Sequence, residues 1–211
     1  VNAPNVAPQN GWCCDPPAPG VDGCEICDCV EQFFDLNADY NDGCECEGTP
    51  RTDSLSDCAA APQGEVVVGG IAEAEMALGV VGTIPEIDND VGNGAEDWYW
   101  VEFPENDAVG VRPNTGSVQV SFALNEGNDY RFEVYRSCNG TAFAAGLASA
   151  FGNGAPPTRE WWFFDNHAPA NGLSMYIDNT NWPDLVYIRV FRVQNDGVCN
   201  NYQLEYVRED T

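Results

Sequence analysis

From residue 97 onward, apolar and polar positions alternate. In Asp97-Trp98-Tyr99-Trp100-Val101-Glu102-Phe103, one face carries Tyr99, Val101 and Phe103, and the other carries Trp98 and Trp100. Residues 117–124 put Val118, Val120, Phe122 and Leu124 on one side. Tyr130, Phe132 and Val134 alternate with Arg131, Glu133 and Tyr135. Val186, Ile188 and Val190 alternate with Tyr187, Arg189 and Phe191, and Tyr202, Leu204 and Tyr206 with Gln203, Glu205 and Val207. A period of two is strand geometry. One apolar face per segment, with Gly-, Pro- and Asn-rich spacers, predicts an all-β, antiparallel two-sheet sandwich. The apolar run Val66, Val67, Val68 opens this region at about Glu65, and the Ala-rich stretch 142–150 predicts at most a turn or two of helix.

Before residue 63 the alternation disappears and cysteines take its place. Cys13, Cys14, Cys24, Cys27, Cys29, Cys44, Cys46 and Cys58 lie there; only Cys138 and Cys199 lie beyond. A segment so poor in apolar residues holds no core of its own and needs staples. The chain thus divides into an extended arm (1–12), a disulfide-stapled unit (13–62) and a sandwich (63–211). Eight cysteines allow 105 pairings, so none is assigned within the unit. The even split implies that Cys138 pairs with Cys199. Zinc held by Cys24-x-x-Cys27 and Cys44-x-Cys46 is the competing reading. The even cysteine count and acidic surroundings favour disulfides, hence an oxidising compartment. A chain that opens on Val1 rather than Met suits a secreted protein whose signal peptide is gone.

Charge narrows the function. The 211 residues hold 34 Asp and Glu against 8 Arg, with no Lys, for a formal charge of −26. This excludes a basic nucleic-acid footprint, Schiff-base lysine and P-loop chemistry, and Lys isopeptide cross-links. No apolar stretch is long enough for a membrane-spanning helix. The carboxylates suit divalent cations, calcium first; adaptation to salt is the plainer explanation. No organic cofactor is implied. Catalysis has little to work with: His167 is the only histidine and no serine lies in a nucleophile elbow. The expectation is a non-enzyme.

Asp22-Gly23-Cys24-Glu25 recurs as Asp42-Gly43-Cys44-Glu45, the second copy preceded by Asp35-Leu36-Asn37-Ala38-Asp39. This resembles the DxNxDxxDGCE repeats of secreted deltaproteobacterial proteins. Oxygens of Asp35, Asn37 and Asp39 are a candidate calcium loop; the alternative is a stack of Asx turns holding the disulfides. Beyond it, Asp97-Trp98-Tyr99-Trp100-Val101, Phe132-Glu133-Val134-Tyr135 and Tyr187-Ile188-Arg189-Val190 with Tyr202-Gln203-Leu204 resemble, in order, strands of the bacterial pre-peptidase C-terminal (PPC) domain. The resemblance implies a jelly-roll-like sandwich. It also implies a calcium site built from Glu73, Glu75 and Asp97, to which Asp88 and Asp90 add oxygens.

Trp98 and Trp100, on the face opposite the core residues, and Trp161 and Trp162, in an aromatic run, are candidate platforms for a sugar or a neighbouring subunit. The arm has little to fold around. Its apolar anchors, Val1 and Val6, suit docking on a neighbour's sheet edge, which repeated head to tail builds a filament. Two functions follow: a secreted structural protein whose partner is its own copies, or a polysaccharide- or matrix-binding module accompanying secreted hydrolases.

Overall fold

A computed structural model describes residues 12–13, 25–26, 29–30, 33–36, 43–48, 58, 63–67, 75–85, 96–104, 116–142, 159–165, 183–194 and 196–209. Two short antiparallel pairs come first: β1 (Trp12–Cys13) with β2 (Glu25–Ile26), and β3 (Phe33–Phe34) with β4 (Cys46–Glu47). Eight longer strands follow: β5 (Gln63–Val67), β6 (Glu75–Gly82), β7 (Glu96–Glu102), β8 (Gly116–Asn125), β9 (Tyr130–Tyr135), β10 (Glu160–Asp165), β11 (Leu185–Arg192) and β12 (Tyr202–Glu209).

These eight form two four-stranded sheets, β10-β8-β12-β6 and β5-β7-β11-β9. Each strand from β5 on lies in the other sheet from its predecessor. The predicted sandwich is therefore present, with one departure from an all-antiparallel plan: β5 pairs parallel to β7 at the edge.

The core follows the sequence parity. Tyr99, Val101 and Phe103 of one sheet meet Val118, Val120, Trp161, Phe163, Tyr202, Leu204 and Tyr206 of the other. Phe122 packs edge-on against Phe132 at 5.3 Å between ring centroids, joining the two inner faces. Burying such side chains contributes about 1.5–3 kcal/mol each. Ile84, just past β6, is the first described residue of this core cluster.

Five tyrosines in or beside the core carry a pH prediction. Burial, above all, pushes Tyr130 up to about 12 and, with the neighbouring Glu133 carboxylate, Tyr135 up to about 12. Burial likewise raises Tyr99, Tyr202 and Tyr206 above the ordinary phenol value of 10.0. The folded form holds these protons more tightly than the unfolded chain. Their contribution to stability is complete below pH ~10 and is lost as pH rises toward and through 12. Alkaline unfolding is expected in that window, with tyrosinate absorbance and loss of the circular dichroism signal rising together after a rapid pH jump. If all eight tyrosines titrate near pH 10 in a still-folded protein, the assignment is wrong.

Candidate functional site

The outer face of the β5-β7-β11-β9 sheet is built by the residues that parity turns away from the core. One end of it is closed. Glu96 and Glu133 both pair with Arg189, the second contact at 3.4 Å. Trp98 donates its indole N–H to Glu96 at 2.9 Å and packs on Tyr135, with ring centroids 5.4 Å apart. Tyr135 in turn donates its hydroxyl to Glu133. Arg189 lies over the ring of Phe191 at 5.1 Å, a cation–π contact.

The other end is open. Trp100 of β7 and Tyr187 of β11 are direct cross-strand partners, so their side chains stand side by side on one face. Next to them, Glu102 is the partner of Leu185. These four residues, with Asp184 and the Cys58–Cys138 disulfide, line a cleft of about 620 Å³. Asp184 closes the strand end: its Oδ1 accepts the Leu185 N–H at 2.9 Å and its carbonyl the Phe103 N–H at 2.7 Å. Among the described residues the lining holds aromatic surface and carboxylates and no basic residue.

A second polar group lies at the opposite end of β9, around a fully enclosed guanidinium. Arg192 and Asp129 side chains are 0% and 1% exposed and 2.8 Å apart. The same guanidinium reaches Asp196 at 2.8 Å and the carbonyls of Val198, Gln194 and Pro85 at 2.7, 2.7 and 2.8 Å. Asn200 donates to Asp129 at 2.7 Å and to Asp196 at 3.1 Å, and its carbonyl accepts the Tyr130 hydroxyl at 2.5 Å. Gly127, at φ +64°, passes so close that a Cβ would lie 2.5 Å from the Asn200 amide nitrogen. Every branch of the guanidinium is occupied by protein. The group is a clasp whose guanidinium has no N–H left for a ligand, while Oδ1 of Asp129 is buried without a hydrogen-bond partner.

The cysteines correct the expected pairing. Cys46 bonds Cys199 and Cys58 bonds Cys138, while Cys29 bonds Cys44. A Cys138–Cys199 bridge is ruled out by the strand between them. Asn200 sits at the Tyr130 end of β9, whereas Cys138 follows its Tyr135 end. Six residues of strand span roughly 17–20 Å, and a disulfide needs Cα atoms within about 7 Å. Among the described residues no cysteine is free.

Asp97 shares parity with Tyr99 and lies in the core, 0% exposed, accepting the Tyr202 hydroxyl at 2.5 Å; the Tyr99 hydroxyl is 2.5 Å from that of Tyr202. Of the residues of the calcium site that the family resemblance implies, Asp97 is thus a buried one. Glu75 opens β6 in the other sheet; Glu73, Asp88 and Asp90 lie outside the described residues. Asp35 is half-buried after β3, while Asn37 and Asp39 lie outside the described residues. Among the described residues no group of three His, Cys, Asp or Glu is placed to hold a metal ion.

Of the aromatic platforms, Trp161 is a core residue and Trp98 is 6% exposed beneath its neighbours, so neither is a free surface. Trp100 and, on the outer face of β10, Trp162 are half-buried. Val1, Val6 and His167 lie outside the described residues. Glu102 was readable by parity with Trp98 and Trp100. Tyr187 needed the β7–β11 register, which no sequence pattern carries.

No family model, curated protein or solved structure matches this chain.

Proposed function

We propose that this is a secreted, non-enzymatic structural protein that assembles from copies of itself, residues 1–11 of one copy adding to the β6 edge of the next. The observation that carries this reading is β6 itself. It is the last strand of its sheet, and Met76, Leu78, Val80 and Val81 are 60, 51, 51 and 56% exposed. Edge strands of stable monomers are normally guarded by charge. Residues 76–85 contain none. The register shift against β12 between Gln203 and Glu205 turns both Val80 and Val81 outward.

Charge selects the occupant. Two chains of −26 approach each other only where carboxylates are absent. Residues 1–14 include no charged side chain, which matches residues 76–85 of the β6 edge. Pro4 and Pro8 lack N–H donors, so pairing runs in short stretches with Val1 and Val6 as apolar anchors. Calcium serves as the counter-ion that lets the surrounding carboxylates come together, and the PPC-like character of the sandwich is part of the same proposal, supported by the three ordered motifs.

Negative-stain microscopy with millimolar calcium is expected to show filaments that are lost in EDTA. Deleting residues 1–11, or introducing Leu78→Lys with Val80→Lys, is expected to leave monomers. Their melting temperatures should stay near that of the parent, because exposed substitutions change stability by about 0.5 kcal/mol or less. Filaments that persist in both variants, or a parent protein that stays monomeric with calcium, would refute the reading.

A further inference from the structure

The geometry points to the cleft between Trp100, Tyr187 and the Cys58–Cys138 disulfide as a binding site for a neutral saccharide. This site is independent of self-association, since it lies on the outer face of the β5-β7-β11-β9 sheet while β6 belongs to the other sheet. Its volume of about 620 Å³ is in the range of small-molecule sites.

The chemistry of the walls selects the ligand class. Trp100 and Tyr187 are register partners on adjacent antiparallel strands. Side by side on one face, both rings line the cleft and offer apolar surface of the kind on which the C–H face of a pyranose packs. Around that surface lie hydrogen-bonding groups of both kinds. Glu102 is half-buried and Asp184 has one carboxylate oxygen engaged, by Leu185 N–H. Both accept from hydroxyl groups. The Trp100 indole N–H and the Tyr187 hydroxyl supply donors. Among the described residues of the lining, a phosphate, sulfate or uronate meets two carboxylates and no basic group, which disfavours anionic ligands. An organic cation needs acceptors and aromatic faces only; the added donors suit a polyhydroxylated neutral ligand.

The disulfide has a role in this site. Cys58 belongs to the cysteine-rich segment and Cys138 to the turn after β9. The bridge between them makes one wall of the cleft, so the site exists only when the two parts of the chain are joined.

Isothermal titration of the intact, oxidised protein with cellohexaose, chitohexaose and maltohexaose tests this, with tetramethylammonium as the cationic probe. At least one oligosaccharide is expected to bind saturably. Trp100→Ala is expected to weaken that binding about tenfold or more, Glu102→Gln to weaken it less, and Trp162→Ala, on the other sheet, to leave it unchanged. Circular dichroism of each variant checks that it is folded, and Trp100→Phe, which keeps an aromatic face, should recover part of the affinity. The proposal is overturned if none of the three sugars binds, if binding is indifferent to Trp100→Ala in a folded protein, or if tetramethylammonium binds in their place.

Discussion

Replacing Arg192 by alanine is expected to destabilise the protein by ~3–5 kcal/mol, the largest single-residue effect outside the aromatic core. Removing the guanidinium leaves the Asp129 carboxylate buried, with the Asn200 amide donating to it at 2.7 Å and no ion-pair partner in contact among the described residues. It also leaves the carbonyls of Gln194, Pro85 and Val198 without their donor. An uncompensated buried charge is far costlier than the loss of the pair as a whole. Arg192→Met combined with Asp129→Leu should therefore recover much of what Arg192→Ala loses. Arg131 gives the contrast. It bonds the Asn128 carbonyl at an exposed site, and its alanine variant should cost less than ~1 kcal/mol. Denaturant midpoints at constant slope measure all three variants against the parent. Equal losses for Arg192→Ala and Arg131→Ala would show that the clasp carries no special weight.

Residue parity made most of the sandwich legible. Tyr99, Val101, Phe132, Val134, Ile188, Val190, Leu204 and Tyr206 all occupy the buried face that alternation gave them. The same rule placed Asp97 inward with Tyr99, and it is buried there. Two strands escaped the pattern for opposite reasons. β10 is a run of four aromatics in which inward and outward positions are equally apolar. β6 alternates, yet its large residues point to solvent, so its apolar stripe marks an edge rather than a core. Trp98 shows the remaining limit. Parity correctly turned it away from the core, but its burial depends on Tyr135 from β9 and on Glu96, contacts set by tertiary packing. The cleft shares that origin, because Trp100 and Tyr187 are 87 positions apart in sequence (187 − 100) and meet only through strand register.

The disulfides carry the second large expected effect, and it is a selective one. In the chain-entropy account, a bridge stabilises more as the loop it closes lengthens. The Cys46–Cys199 bridge closes 153 residues and Cys58–Cys138 closes 80, against 15 for Cys29–Cys44. Taken singly these correspond to ~5, ~4.5 and ~3 kcal/mol. The first two loops overlap, so each is an upper value while the other bridge remains. Replacing both cysteines of either long-range bridge by alanine is expected to cost ~2–5 kcal/mol. Removing both bridges together should do something different in kind. The core cluster among the described residues runs from Ile84 to Tyr206 and includes no residue of the cysteine-rich segment. Sandwich and segment are held together by these two bonds and by contacts such as Gly48 against Pro85. The quadruple variant is therefore expected to keep a folded sandwich, seen as retained near-ultraviolet circular dichroism. Limited proteolysis should then remove the residues before β5 first. The cleft should already be lost in this variant before any cleavage, because Cys58 and Cys138 form its wall. Global unfolding of the quadruple variant would show instead that the sandwich depends on the clasped segment for its own stability, and that the two are a single folding unit.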